Sequence, residues 1–276
     1  MSVNNNPLRQ YFRRPSVYLK LPSGGKYYPL NVINQTETGE LAIYPMTAID
    51  DITVRTPDAL FNGSAIVELI KSCVPDIKDP WAINSVDLDA ILIAIKSATG
   101  LGTIDLEATC PKCKEEYTYS INLMILLSQL KDGDYDKKLM INDLSIKFKP
   151  LSYREVNKIA LKQFEIQKMF NIIDDMTDEE EKNKQSKLAL RSIAMFTMEV
   201  VAQCIEYITT PSSKVDEYEY IFDFLQNCEK ANYETIREYN NKLKEGTVIK
   251  PIDITCNHCN HKYTQPFTLN SSDFFG

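Results

Sequence analysis

The sequence predicts an α+β protein: a small N-terminal β region, a ribbon-like β module built from two distant Cys-x-x-Cys turns, and a large inserted α-helical subdomain. Three observations predict it. Alternating short apolar runs around a Pro-Ser-Gly-Gly turn open the chain. Two cysteine pairs with strand-like flanks stand near the middle and at the end. Between them, apolar residues recur at helical spacing for nearly a hundred residues.

The 276 residues, 43% hydrophobic and 25% charged, suit one large domain or two modest ones and exclude a disordered or fibrous chain. The net charge of −7 opposes general nucleic-acid binding, which relies on Lys and Arg. The longest uncharged stretch, Tyr117 to Leu130, covers 14 residues, whereas a membrane span needs about 20 apolar ones. No apolar run follows Met1 to suggest a signal peptide, so a soluble, intracellular protein is expected.

Along the chain, residues 1–55 form a basic arm and small β region. Arg9, Arg13, Arg14, Lys20 and Lys26 precede the first acid, Glu37. Val17–Leu21, Lys26–Pro29 and Leu41–Tyr44 suit short strands, with Pro22-Ser23-Gly24-Gly25 as a turn. Residues 56–100 suit helices. Thr56 with Pro57 can start one, Ala65, Ile66, Leu69, Ile70 and Cys73 lie along it, and Pro75 stops it. Ser85 caps a second over Val86–Ala98, apolar enough to be central. Residues 138–149 suit a β-hairpin around Asn142-Asp143.

Residues 150–246 form the helical insertion. Ser152 with Glu155, and Thr177 with Glu180, match capping boxes. Val156, Ile159, Ala160, Phe170 and Ile173 make an apolar stripe, and Leu188–Ile208 reads as the most hydrophobic helix. Two shorter helices follow, one carrying Val215, Tyr218, Phe222 and Leu225, the other Ile236, Tyr239 and Leu243.

The strongest chemical signal is an internal repeat. Thr109-Cys110-Pro111-Lys112-Cys113-Lys114-Glu115-Glu116-Tyr117-Thr118 aligns with Thr255-Cys256-Asn257-His258-Cys259-Asn260-His261-Lys262-Tyr263-Thr264 at an offset of 146, with five of ten positions identical. Each pair offers two thiolates, and structural zinc takes four ligands in a tetrahedron. Cys110, Cys113, Cys256 and Cys259 therefore read as the ligands of one structural Zn²⁺, with residues 101–125 and 247–276 as halves of a zinc-ribbon-like module. Closing the loop between them adds little entropy, since the penalty grows logarithmically.

Iron would use the same sulfur geometry. A redox Cys-x-x-Cys would stand at a helix start, but here a Tyr-Thr strand follows each pair. His258 and His261 read as exposed loop histidines, and Cys73, Cys204 and Cys228 as buried thiols. Four thiolates leave no open metal position, and no Walker loop, His-Glu-x-x-His or Gly-x-Ser-x-Gly occurs. No catalytic or cofactor-binding residues are predicted.

The strings Tyr18-Leu19-Lys20-Leu21-Pro22-Ser23-Gly24-Gly25-Lys26-Tyr27-Tyr28-Pro29, Tyr44-Pro45-Met46-Thr47-Ala48-Ile49-Asp50-Asp51 and Thr56-Pro57-Asp58-Ala59-Leu60-Phe61-Asn62-Gly63, with the Cys-Pro-x-Cys knuckle, carry a family likeness. Over roughly residues 8–125 the chain resembles a baseplate hub protein family of T4-like contractile-tailed bacteriophages. The resemblance implies a hub component or hub assembly factor of the tail baseplate. Its expected partners are other baseplate or hub proteins, met in the host cytoplasm during assembly or in the virion tail; no substrate is implied. The basic aromatic arm would order on an acidic partner, so removing residues 1–16 should weaken assembly without unfolding the chain. The alternative is a zinc-ribbon nucleic-acid binder using Lys112, Lys114 and Lys262, with Tyr117, Tyr119 and Tyr263 stacking on bases.

Overall fold

The computed structural model describes residues 6–29, 31–34, 36–56, 63–100, 102–245, 247–267 and 274. It is α+β and falls into two compact units. One comprises residues 1–80, 87–131 and 249–276; the other comprises residues 81–86 and 132–248.

In the first unit, β1 (Val17–Lys20) pairs antiparallel with β2 (Glu40–Ile43). Residues 26–29, expected as a strand, instead continue the turn after Leu21, and Tyr27 adopts φ 70. The reason lies in α3 (Ser85–Thr99). Its fully buried Asp87 accepts hydrogen bonds from the Ser23 amide at 2.9 Å, from the Ser23 hydroxyl, and from the Tyr28 hydroxyl at 2.7 Å. A buried carboxylate needs such donors, and it folds the segment back upon itself. The expectation of a central α3 holds: Ile91 and Ile95 are fully buried.

Two short helices precede α3. The first, α1 (Ala48–Val54), was not foreseen; Thr47 and Asp50 form its capping box. The second, α2 (Ser64–Cys73), buries the apolar positions read from the sequence. The proposed start at Thr56-Pro57 falls partly on residues 57–62, outside the described residues. After α3, β3 (Thr103–Thr109) and β4 (Glu116–Asn122) form a hairpin, followed by α4 (Leu123–Gln129). Near the chain end, β9 (Ile252–Thr255) and β10 (Lys262–Gln265) form another.

The second unit has a four-stranded sheet in the order β5 (Lys138–Ile141), β6 (Leu144–Phe148), β7 (Ile205–Thr209), β8 (Lys214–Val215). The β5–β6 hairpin turns at Asn142-Asp143 as expected, with Asn142 at φ 51. Helix α5 (Tyr153–Asp174) starts at the foreseen Ser152–Glu155 capping box. Helix α6 (Glu179–Gln203) is capped by Asp178, whose carboxylate accepts from the Glu180 and Glu181 amides, and not by Thr177. A carboxylate at a helix start gains from the dipole as well as from the amides.

Helix α6 also stops at Gln203. Residues 205–208, read as its last turns, instead form with Thr209 a strand that pairs with β6, as suits a run of Ile, Tyr and Thr. Val215 likewise lies in β8, ahead of α7 (Tyr218–Asn227) and α8 (Lys230–Glu245). Of the stripe expected on α5, Ile173 is buried, whereas Ala160 is exposed. On α6, Leu188 and Leu190 are exposed as well.

Candidate metal centre

The two Cys-x-x-Cys turns are built alike. Each is closed by a backbone bond four residues back, from Lys114 N–H to Cys110 O (2.9 Å) and from Asn260 N–H to Cys256 O (3.0 Å). Lys114 and Asn260 occupy the left-handed region at φ 62 and φ 56. That conformation reverses the chain tightly enough for the first cysteine amide to bond onward, Cys110 to Glu115 O at 3.0 Å and Cys256 to His261 O at 2.9 Å. The strands then pair in equivalent registers, Thr109 with Glu116 and Thr255 with Lys262. Every one of these correspondences keeps the offset of 146, so the repeat is structural as well as verbal.

The copies meet across an approximate twofold relation. Cys110 Sγ lies 3.7 Å from Cys259 Sγ, and Cys113 Sγ lies 3.7 Å from Cys256 Sγ. On the same relation, the Tyr117 and Tyr263 hydroxyls share a hydrogen bond of 2.9 Å. All four sulfurs lie within 4.8 Å of one another. A cation bound by thiolates at about 2.3 Å in a tetrahedron would place sulfurs about 3.8 Å apart, so the spacing of the closest pairs fits such an ion. Cys110 and Cys256 are fully buried, Cys113 and Cys259 partly so.

The electrostatics fit the same occupant. Burial opposes ionisation of Cys110, yet the amides of Cys113 and Lys112 and the thiols of Cys113 and Cys259 bring it down to about 6. At Cys113 the Glu115 amide favours the thiolate, but burial and the thiols of Cys110, Cys259 and Cys256 push it up to about 12. Four crowded sulfurs cannot all carry negative charge unaided; a divalent cation resolves this by displacing protons.

His258 is exposed, and its amide points to Cys256 Sγ at 3.4 Å. The His261 ring stacks on Tyr263 with centroids 6.2 Å apart. Neither belongs to the sulfur group, the one His/Cys/Asp/Glu cluster among the described residues close enough to hold a metal ion. The repeat in the sequence anticipated the cysteines. It also contained Tyr117 and Tyr263, whose pairing across the twofold went unrecognised. Their hydroxyls bind each other, and burial followed by that bond raises the Tyr117 pKa.

Arg13 stands apart from the free arm expected of the first 30 residues. Its guanidinium bonds to Asp50 (3.1 Å), Ser72 O (2.8 Å), Ser72 Oγ (2.7 Å) and Pro45 O. Removal of residues 1–16 would thus unpin α1 from α2, which corrects the expectation that this truncation leaves the fold intact. Within the described part of the arm, Leu8, Tyr11 and Phe12 do project from the surface. No helix among the described residues is long and apolar enough to cross a membrane.

Two distant hairpins of this α+β chain thus converge on one four-sulfur cluster. The particular family follows from comparison: residues 15–276 match the family described as T4 bacteriophage base plate protein, and the chain belongs to that family. The match extends through the helical segment, well beyond the region that carried the resemblance. No curated protein and no solved structure matches.

Proposed function

We propose that the chain is a non-enzymatic component of the phage tail base plate, a hub subunit or hub assembly factor acting through protein–protein contacts, with its scaffold braced by one structural Zn²⁺. Family membership over nearly the whole chain carries the reading. Cys110, Cys113, Cys256 and Cys259 would hold the ion, and their sulfur spacing supports a tetrahedral site. A four-thiolate shell leaves no position for substrate or water, in keeping with a structural role. Zinc, unlike iron, would keep that role without redox chemistry.

In this reading the projecting Leu8, Tyr11 and Phe12, beside Arg9 and Arg14, form one contact with a neighbouring subunit, and the helical segment offers a second. The nucleic-acid alternative is weaker because Tyr117 and Tyr263 engage each other and Glu115-Glu116 lie in the knuckle.

The test is co-expression of the chain with the other base plate proteins of its phage, followed by affinity purification. Recovery of a stoichiometric complex, reduced when residues 1–12 are deleted, is the expected result. A chain that folds and carries metal but retains no base plate protein would refute the reading.

A further inference from the structure

The second unit contains a cleft of about 630 Å³ walled by three helices. Helix α5 contributes Gln163, Ile166, Gln167 and Phe170, and α8 contributes Arg237, Asn240, Asn241 and Lys244. Both sets follow the spacing i, i+3, i+4, i+7, which marks one continuous stripe along a helix. Helix α6 lays Ile193, Phe196 and Val200 along the floor between them. Three helices that each present a two-turn stripe to a common groove leave a space shaped for a fourth.

The two walls differ in chemistry. The floor supplies apolar surface, the α5 wall sets Ile166 and Phe170 among two glutamines, and the α8 wall is polar and cationic. The lining holds two cations, Arg237 and Lys244, and no acid. Neither cation forms a salt bridge to a carboxylate among the described residues. Burial pushes the nearby Cys204 thiol up, while the Lys244 ammonium and the Asn240 side chain both favour its ionisation. Seven residues apart on one helix face, they stand about 10 Å from each other along the axis. Between them Asn240 is 2% exposed, and its side-chain oxygen has no hydrogen-bond partner among the described residues. A buried acceptor without a donor is unfavourable, and a seated ligand could supply one.

We infer that this groove seats an acidic amphipathic helix of a partner protein. Its apolar edge packs on α6, two acids about two turns apart meet Arg237 and Lys244, and a donor between them reaches Asn240. A helix laid into an apolar groove with flanking charge is an established mode of recognition. The inference rests on the reading of the chain as a protein-contact component, and it names the chemistry of one contact.

The experiment uses the full chain and a hydrocarbon-stapled helical peptide with leucines at i, i+3, i+4 and i+7. The peptide has glutamates seven apart on one flank, a glutamine between them and a fluorophore for anisotropy. A control peptide carries lysines in place of the glutamates. The acidic peptide should bind, the control should not, and Arg237→Glu or Lys244→Glu should each weaken acidic-peptide binding by about tenfold. The double reversal should transfer preference to the lysine peptide. Circular dichroism of each variant establishes that it is folded; Arg237→Gln and Lys244→Gln replace any that is not.

Equal binding of both peptides, no binding of either, or indifference to the α8 substitutions would overturn the inference. So would sedimentation showing that the groove seats a second copy, with self-association lost in Arg237→Glu. The peptide assay does not involve base plate proteins, so its outcome is separable from that of co-purification.

Discussion

Single residues decide how the first unit closes. Arg13 reaches Asp50, Ser72 and Pro45, with its side chain 25% exposed and that of Asp50 9% exposed. Removing one partner of a largely buried charged pair leaves the other desolvated and unpaired. Arg13→Ala should therefore lower stability by about 2–3 kcal/mol in denaturant titration. Burial opposes the charge on Asp50, but the Thr47 amide and hydroxyl, Ser72 and Arg13 outweigh it and hold the carboxyl below its ordinary range.

A carboxylate whose folded pKa is depressed contributes stability above its unfolded pKa and loses it as pH falls through the folded value. Wild type should thus exceed Asp50→Asn in thermal stability at pH 7, and the gap should narrow below about pH 4. A gap that stays constant down to pH 2 would show that the charge does not matter.

At the scale of elements, the knuckles make a matched pair. Lys114 and Asn260 hold the same left-handed backbone in the two turns, a conformation that β-branched side chains resist. Lys114→Val and Asn260→Val should each destabilise the first unit by about 1–2 kcal/mol. Similar losses in the two variants would confirm that the copies bear similar load, and a loss confined to one would break the equivalence.

Much of this level was legible beforehand. The cysteine repeat, the Ser152–Glu155 box, the Asn142-Asp143 turn and the apolar α3 are local patterns with local causes. Most of what escaped was set by distant partners. Residues 205–208 leave the helical register because β6 offers them a ladder, and residues 26–29 bend because Asp87, some sixty positions away, gathers Ser23 and Tyr28. Helix α1 depends on a Thr47–Asp50 box with Asp in place of the usual Glu or Gln. The twofold partnering of Cys110 with Cys259 and of Cys113 with Cys256 needs three dimensions, because the sequence gives the offset and not the crossing.

Across the whole molecule, the proposed ion ties the end of the chain to its middle. Hydrogen exchange should register its loss unevenly. Stripping metal with a strong chelator should deprotect β3, β4, β9 and β10 while leaving α5, α6 and β5–β8 of the other unit protected. Uniform deprotection would mean that the two units unfold together. The most direct measurement of the central claim is elemental analysis of the purified reduced chain, set beside Cys259→Ser. The account predicts one zinc per wild-type chain, lost or greatly weakened in the variant, with the four sulfurs slow to react with a thiol reagent until the metal is removed. A folded wild-type chain that carries no metal, with all four thiols reacting at once, would contradict it.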